Sequence, residues 1–295
     1  MASAAEAQNR PNSGRLSSLK KLGLIAGNGR FPILFAAQAR RDGFTVIAVA
    51  HRGETPPEIE NVADEVTWVY VGQLGKIIRV FLRAGVTEAV MAGGIRKAKL
   101  FVNFRPDLRG ARFLARVRKR DDDALLRGIA EELEQDGIRI MESTVCVPEI
   151  LPGEGVLTKR PPTAAEWEDI RFGFSVAKEM GRLGVGQTVI VKDRVIVAVE
   201  AVEGTDAAIE RAGKLAKSGC VMVKVSKPGQ DLRFDVPAVG VDTMRNLHKA
   251  GGAVLAVEAG KTILLEKEEL LRTADELGIA VVAIGDEAQG ALPIS

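Results

Sequence analysis

Two apolar runs in the first third of the chain stop abruptly on glycines and hand over to a different pattern. They are LGLIAGNGRFP over 22–32 and TEAVMAGGIRKAK over 87–99. A strand whose residues are apolar without alternation must be covered on both faces, which selects a parallel sheet sandwiched by helices. The segments between obey the same logic. FPILFAAQARRDG (31–43) and LGKIIRVFLRAG (74–85) have helical spacing and end on glycine, while FTVIAVA (44–50) and VTWVYVG (66–72) are further apolar strands. Two more helices near 110–118 and 122–136 and a strand IRIMES (138–143) complete the series. With right-handed crossovers this is a Rossmann-like doubly wound unit.

The period is lost in the Pro/Gly-rich stretch VPEILPGEGVLTKRPP (147–162). Beyond it a helix over 163–183 leads into a region richer in strands. GQTVIVKDRVIVAVEAVEG (186–204) reads as a hairpin turning at Lys192-Asp193. CVMVKVS (220–226), RFDVPAVG (233–240), GAVLAVEAG (252–260), TILLE (262–266) and IAVVAIG (279–285) read as strands, with a helix over 266–277. The expected class is α/β, an N-terminal Rossmann-like parallel-sheet domain followed by a C-terminal mixed α/β domain. The expected boundaries are 1–19 a disordered leader without the apolar core of a signal peptide, 20–145, a linker 146–162, and 163–295.

Bulk properties exclude more than they select. The 41 basic and 39 acidic residues nearly cancel, and no block of like charge suggests a nucleic-acid arm. No apolar stretch reaches the roughly 18 residues of a membrane span. The two cysteines, Cys146 and Cys220, sit in apolar contexts and are expected as buried thiols in a reducing cytoplasm. The only two histidines, His51 and His248, share no motif, which removes His-based metal sites and Ser or Cys triads.

The chemistry-bearing residues fall into two groups. Gly27, Asn28, Gly29 and Arg30, and then Gly93, Gly94, Arg96, Lys97 and Lys99, follow strands at the carboxyl edge of a parallel sheet, where ligands bind. Glycines let a backbone approach a phosphate, and a helix N-terminus adds N–H groups and a positive dipole end. Three readings are open: a nucleotide-phosphate cradle, a plain strand-to-helix turn, or a redox site. His51 and Arg52 where an NAD site would want an acid leave only an NADP reductase in the last class. The stretch with Leu100, Phe101, Val102 and Phe104 is open to contact with an amphipathic anion or a membrane surface, or to packing in the core.

The second half is dense in carboxylates. Glu200 interrupts an apolar strand, a costly position unless paired or metal-bound. Glu203, Gly204, Thr205 and Asp206 form a turn into a helix, where Thr205 or Asp206 serves equally as an N-cap. Asp242 before Thr243 has the look of another cap. In GQDLRFDVPAVG, Asp231, Arg233 and Asp235 gather near Pro237, an edge signal, with Arg233 and Asp235 expected on one side of a strand and an Asp235–Arg233 pair as the plain alternative. Carboxylates, basic residues and phosphate-type turns together point to phosphoryl chemistry, in which Mg²⁺ is held by one or two acids and phosphate oxygens.

Five segments taken in order, GLIAGNGRFP, MAGGIRKAK, DDDALLRGIAEELEQDG, VGQTVIVKDRVIVAVEAVEGTDAAI and KPGQDLRFDVPAVGVDT, resemble the LpxI-type UDP-2,3-diacylglucosamine pyrophosphatases from about residue 20 onward. The resemblance implies hydrolysis of UDP-2,3-diacylglucosamine to UMP and 2,3-diacylglucosamine 1-phosphate (lipid X) in lipid A synthesis. It also implies a divalent cation, usually Mg²⁺, two α/β domains holding the lipid, and a central role for Asp235. The partners it implies are a UDP-linked glycolipid and, at most, the inner-membrane surface reached from the cytoplasm, with a homo-oligomer compatible. The resulting candidates are Asp235, Glu200 and Asp206 for catalysis and Glu203, Asp231 and Asp235 for metal. Substrate candidates are Gly27, Asn28, Gly29, Arg30, Gly93, Gly94, Lys97, Asp123, Gln187, Thr205 and Arg233. A non-catalytic binder of an anionic lipid or nucleotide is the alternative from another class.

Overall fold

The computed structural model describes residues 20–96, 104–117, 122–234 and 236–285, with only the backbone at Asp122 and Asp123. The expected leader, Lys97, Lys99, Leu100, Phe101, Val102 and Asp235 lie outside the described residues, as does the side chain of Asp123. The chain divides into two units, Met1–Arg116 with Ile129–Ile140 and Val117–Gly128 with Met141–Ser295.

The first unit is built on a sheet of β1 (Lys21–Ala26), β2 (Thr45–His51), β3 (Glu65–Val69), β4 (Glu88–Ala92) and β5 (Arg139–Met141), in the order β3-β2-β1-β4-β5. Strands β1 to β4 are mutually parallel. Between them run helices α1 (Phe31–Arg41), α2 (Ile59–Val62) and α3 (Leu74–Ala84), followed by α4 (Leu108–Arg116) and α5 (Asp122–Glu134). As the unbroken apolar runs require, Leu24, Val46, Ile47, Val49 and Val90 are buried, with Phe35 of α1 and Phe81 of α3 packed into the same core. The order reverses between β1 and β4. That reversal is the switch point at which doubly wound sheets open a crevice beyond their strand ends.

The second unit carries a six-stranded mixed sheet. Its strands are β6 (Gly155–Val156), β7 (Thr188–Lys192), β8 (Val195–Val199), β9 (Cys220–Lys224), β11 (Gly252–Glu258) and β13 (Ala280–Ile284), ordered β6-β13-β11-β9-β7-β8. Strands β9, β11 and β13 are parallel, while β7 runs against β9 and β8. A separate parallel pair joins β10 (Ala238–Val239) to β12 (Ile263–Leu264). Alternation along the strands divides the core in two. Val221 and Val223 meet Ile170, Phe174 and Ala177 of α6 (Ala164–Arg182) on one face. Cys220 and Met222 meet Ile209 of α7 (Thr205–Ala216), Met244 of α8 (Val241–Lys249) and Leu270 of α9 (Lys267–Glu276) on the other. Helix α6 opens on a full capping box, Thr163 with Glu166. Both cysteines are buried thiols, as their apolar contexts predict.

Three local expectations need correction. Among the described residues no strand runs through 233–240: Leu232–Phe234 is a turn and only Ala238–Val239 pairs. The Asp231 carboxylate takes the Arg233 amide at 3.1 Å, and the Phe234 amide bonds the Asp231 carbonyl at 3.1 Å, which closes a local turn in place of a ladder. The strand alternation that aligned Arg233 with Asp235 therefore does not apply. The N-cap of α7 is Gly204, at φ 86°, not Thr205 or Asp206. Asp242 likewise lies inside the first turn of α8, behind Gly240 as N-cap, and bonds Arg245 at 3.1 Å.

Candidate functional site

In the first unit the turns after β1, β2 and β4 leave the sheet at one edge and interlock. The Gly27 amide donates to the Ala92 carbonyl at 2.8 Å and the Asn28 amide to the Gly94 carbonyl at 2.7 Å. These two amides are committed to the fold, so a phosphate cradle here has to draw on the chain beyond them. A side chain cannot enter this contact. A Cβ on Gly27 would lie 2.4 Å from the Gly94 carbonyl oxygen, and one on Gly93 would lie 2.3 Å from that of Asn28. Gly29 and Arg30, by contrast, are exposed at the start of α1, Gly29 with φ 83°.

A carboxylate that sequence reading missed ties these turns together. The Glu54 side chain is fully buried, and its Oε2 accepts from the Arg96 amide at 3.2 Å, Arg96 Nε at 3.0 Å and Asn28 Nδ2 at 3.3 Å. Its Oε1 is buried without a partner. Burial alone would raise its pKa, but the hydrogen bonds from Arg96 and Asn28 and the guanidinium charge outweigh that and hold the carboxyl below its ordinary range. Nearby, His51 Nδ1 donates to the Ala26 carbonyl at 2.9 Å and Thr55 Oγ1 to the same oxygen at 2.6 Å. Burial lowers the His51 pKa, with the Ala26 hydrogen bond and the Glu54 charge offsetting part of it. Arg52, on which an NADP reading leaned, lies over the Tyr70 ring at 5.8 Å. Arg52, Glu54, Thr55 and Trp68 border an open cleft of about 440 Å³.

Glu54 and His51 set an acid response with a definite sign. Both have depressed folded-state pKa values, so each stabilises the fold fully above its ordinary value, 4.5 for Glu54 and 6.5 for His51, and progressively less as pH falls below it. The melting temperature of the first unit is expected to decline from pH 7 to pH 4, with Glu54→Gln flattening the lower part of that decline. A Glu54→Gln profile parallel to wild type below pH 4.5 would contradict the assignment.

In the second unit, the carboxyl ends of β8 and β9 and the start of β7 share an edge. Glu200 follows β8, its amide bonding the Thr188 carbonyl at 2.9 Å, and Thr188 pairs with Lys224 in the ladder. Thr205 Oγ1 donates to Glu200 Oε1 at 2.7 Å and accepts from Lys224 Nζ at 3.0 Å. Glu200 and Thr205 are thus brought together. Gln187 sits at the same edge, its carbonyl accepting from the Val225 amide at 3.0 Å and its Oε1 buried without a partner. Asp206 is exposed and accepts from Asn246 at 3.0 Å. Glu203 pairs with Arg211; bonding from its own backbone and the Arg211 charge hold its carboxyl below the usual range. Asp231 is gripped by the Arg233 guanidinium, Nε at 3.0 Å and Nη2 at 2.8 Å, which lowers its pKa. The guanidinium also lies over the buried Phe234 ring at 4.7 Å.

A cation-ligand set does not assemble from these acids: among the described residues no group of three or more His, Cys, Asp or Glu can hold a metal. Glu203 and Asp231, two of the three expected ligands, each face an arginine. A second cleft, about 500 Å³ bordered by Lys159, Arg160, Arg272, Asp275 and Glu276, shares no residue with the candidate set. Sequence reading also passed over Lys224 and Glu258, buried charges that end the apolar runs of β9 and β11. Glu258 is held by Lys178 at 2.8 Å, Lys261 at 2.7 Å and the Ser226 amide at 2.8 Å.

Comparison with known proteins decides the kinship. A family model described as the LpxI N-terminal domain matches residues 21–150, and one described as the LpxI C-terminal domain matches 153–282. The chain belongs to the LpxI family of enzymes. It is 32% identical over 279 residues to the UDP-2,3-diacylglucosamine pyrophosphatase LpxI of Caulobacter vibrioides, covering 90% of this chain and 98% of that one. A shorter likeness, 32% over 133 residues, joins it to the bifunctional purine biosynthesis protein PurH of Bacillus subtilis, covering 43% of this chain and 23% of that protein. Among solved structures, a glycinamide-RNase-transformylase T from Mycobacterium tuberculosis aligns over 62% of this chain and 44% of its own at 11% identity. Its TM-score of 0.26 is too low to support an argument. In this LpxI-family chain both edges described above fall inside the matched domains.

Proposed function

We propose that this protein is a UDP-2,3-diacylglucosamine pyrophosphatase of lipid A synthesis, releasing UMP and 2,3-diacylglucosamine 1-phosphate. The observation that carries the reading is the alignment with the Caulobacter vibrioides pyrophosphatase across 98% of that protein's length. The chemistry at the two sheet edges is compatible with it. Exposed Gly29 and Arg30 open a helix suited to an anion, and Glu200, Thr205 and Lys224 offer both charge signs beside the segment that leads to Asp235. Among the described residues no helix is long and apolar enough to cross a membrane, so the reading takes the lipid at the membrane surface. Incubation of the purified protein with UDP-2,3-diacylglucosamine tests it: UMP and the sugar 1-phosphate should appear in equal amounts, and their absence would overturn it.

A divalent cation belongs to the same proposal. Since Glu203 and Asp231 face arginines, Asp235 and the substrate's own phosphate oxygens are the ligands left to hold it, which suffices for Mg²⁺. When bound, it would neutralise part of the diphosphate charge. EDTA is expected to lower UMP release by roughly 100-fold or more, with recovery on excess Mg²⁺; unchanged turnover in EDTA would strike the cation from the mechanism.

A further inference from the structure

The near cancellation of charge over the whole chain hides a local excess. Residues 71–120 hold 13 lysines and arginines and only two acids, against 41 and 39 in the full sequence. Both acids are committed elsewhere. Glu88 pairs with Lys20 and Arg139, and the Asp107 carboxylate accepts from the Lys76 and Gly110 amides at 2.9 Å each. The Asp107 bonds tie the start of α4 to that of α3. Gly110 also packs too closely on the Gly72 carbonyl to admit a Cβ, so α4 is fixed against the turn after β3.

That anchorage presents one mixed face beside the carboxyl end of β3. The Arg105 amide bonds the Val71 carbonyl at 2.9 Å and Phe104 bridges the same residue, which continues the sheet past β3. Phe104 is 40% exposed and Leu108, at the start of α4, 68%. Arg112 follows Leu108 by one turn on the same side of the helix, while Gly110 and Phe113 turn inward. Arg105 and Arg52, which follows β2, both lie over the Tyr70 ring, at 4.3 and 5.8 Å. Among the described residues Arg52, Arg105 and Arg112 meet no carboxylate, whereas Arg96, Arg109 and Arg116 of the same unit do. Two guanidiniums on one ring without an acid between them repel each other, and an anion spanning both relieves that repulsion.

We propose that this face, made by Arg52, Phe104, Arg105, Leu108 and Arg112, docks the protein on an anionic lipid bilayer, with the guanidiniums against headgroup phosphates and the two apolar side chains in the interface. Charge complementarity selects an anionic partner. Exposed Phe104 and Leu108 among the arginines select one with an apolar layer beneath its charge. The choice of a bilayer among such partners rests on the pyrophosphatase reading, whose substrate carries two acyl chains. The face lies at the carboxyl edge of the sheet that also carries Gly29 and Arg30, so docking brings that edge to the surface from which the substrate must be taken.

The test is flotation of the full chain, without substrate, on vesicles of phosphatidylcholine alone or of an equal mixture with phosphatidylglycerol. It runs beside UMP release from UDP-2,3-diacylglucosamine dispersed in neutral detergent. Wild type should float with the mixed vesicles only, and high salt should release it. Arg105→Glu/Arg112→Glu should bind them about 30-fold more weakly and Leu108→Ser about 5-fold, while UMP release in detergent stays within about 2-fold of wild type. Lys249→Glu/Arg272→Glu makes the same charge change at exposed positions of the second unit and should bind within about 2-fold of wild type. Thermal melting checks each variant. If the double reversal does not fold, Arg105→Gln/Arg112→Gln should lose about 10-fold in its place. Wild type that ignores the mixed vesicles or binds phosphatidylcholine equally overturns the inference, as does equal weakening by the second-unit control. Tighter binding of a single-stranded RNA, indifferent to Leu108→Ser, overturns it in favour of a nucleic acid. Docking without UMP release overturns the pyrophosphatase reading and supports this face; UMP release without docking overturns the inference alone.

Discussion

Asp235→Ala is expected to lower UMP release by roughly 10³-fold while leaving the melting temperature within about 2 °C of wild type. The chemical half of this follows from the family resemblance, which implies a central role for the aspartate of RFD, and from what the other candidate acids already do. Asp231 is held by Arg233, Glu203 by Arg211 and Asp206 by Asn246, so each meets a partner from its own unit. Asp235 is the carboxylate assigned both to the cation and to catalysis, and loss of both roles together gives the large factor. The structural half follows from the residues on either side. Phe234 and Pro237 are buried, and the Asp231–Arg233 fork closes the turn before them. These contacts are made by residues other than 235, and they are the ones expected to hold the segment in the variant. Near-normal turnover would remove Asp235 from the mechanism. Lost turnover with a melting temperature lower by 10 °C or more would show a structural role instead.

How far such a site was legible in advance depended on the range of the interactions that build it. Strands β2, β9 and β11 announced themselves because burial on both faces forces unbroken apolar runs, and β1 and β4 did so with the glycines that close them. The turns at 27–30 and 93–96 were therefore placed at one sheet edge from the sequence, and the strand order puts them at its switch point. The RFD segment misled because its alternation resembled a strand, while the Asp231 carboxylate, two residues before Arg233, closed a turn. Glu54 left no local trace at all, since its partners Asn28 and Arg96 are 26 and 42 residues away. Lys224 and Glu258 did leave one: a charge ending an apolar run is rare unless something pays for it, and that pattern was applied to Glu200 but not to them.

Gly27→Ala should be the most damaging small substitution in the first unit, and by a mechanism unlike that of Asp235. The added Cβ would sit 2.4 Å from the Gly94 carbonyl oxygen and 2.6 Å from that of Gly93. Both obstacles are backbone, and the Gly27 and Asn28 amides hold that backbone through Ala92 and Gly94, so neither side yields without breaking those hydrogen bonds. Gly93 packs so closely on the Asn28 carbonyl that even a Cβ there would lie 2.3 Å from its oxygen, which leaves the two turns little room to part without losing contact. Overpacking against fixed backbone costs about 3 kcal/mol, which lowers the melting temperature of this unit by roughly 6–12 °C. The damage should reach the edge chemistry as well. Asn28 and Arg96 flank the displaced contact and both bind Glu54, so separating the turns exposes that carboxylate and returns its pKa toward the ordinary value. Gly29→Ala is the internal contrast. Its Cβ would meet nothing within 4 Å, and its cost is confined to the positive φ of 83°, about 1 kcal/mol. Equal melting temperatures for the two variants would show that the interlocked turns do not hold the edge together.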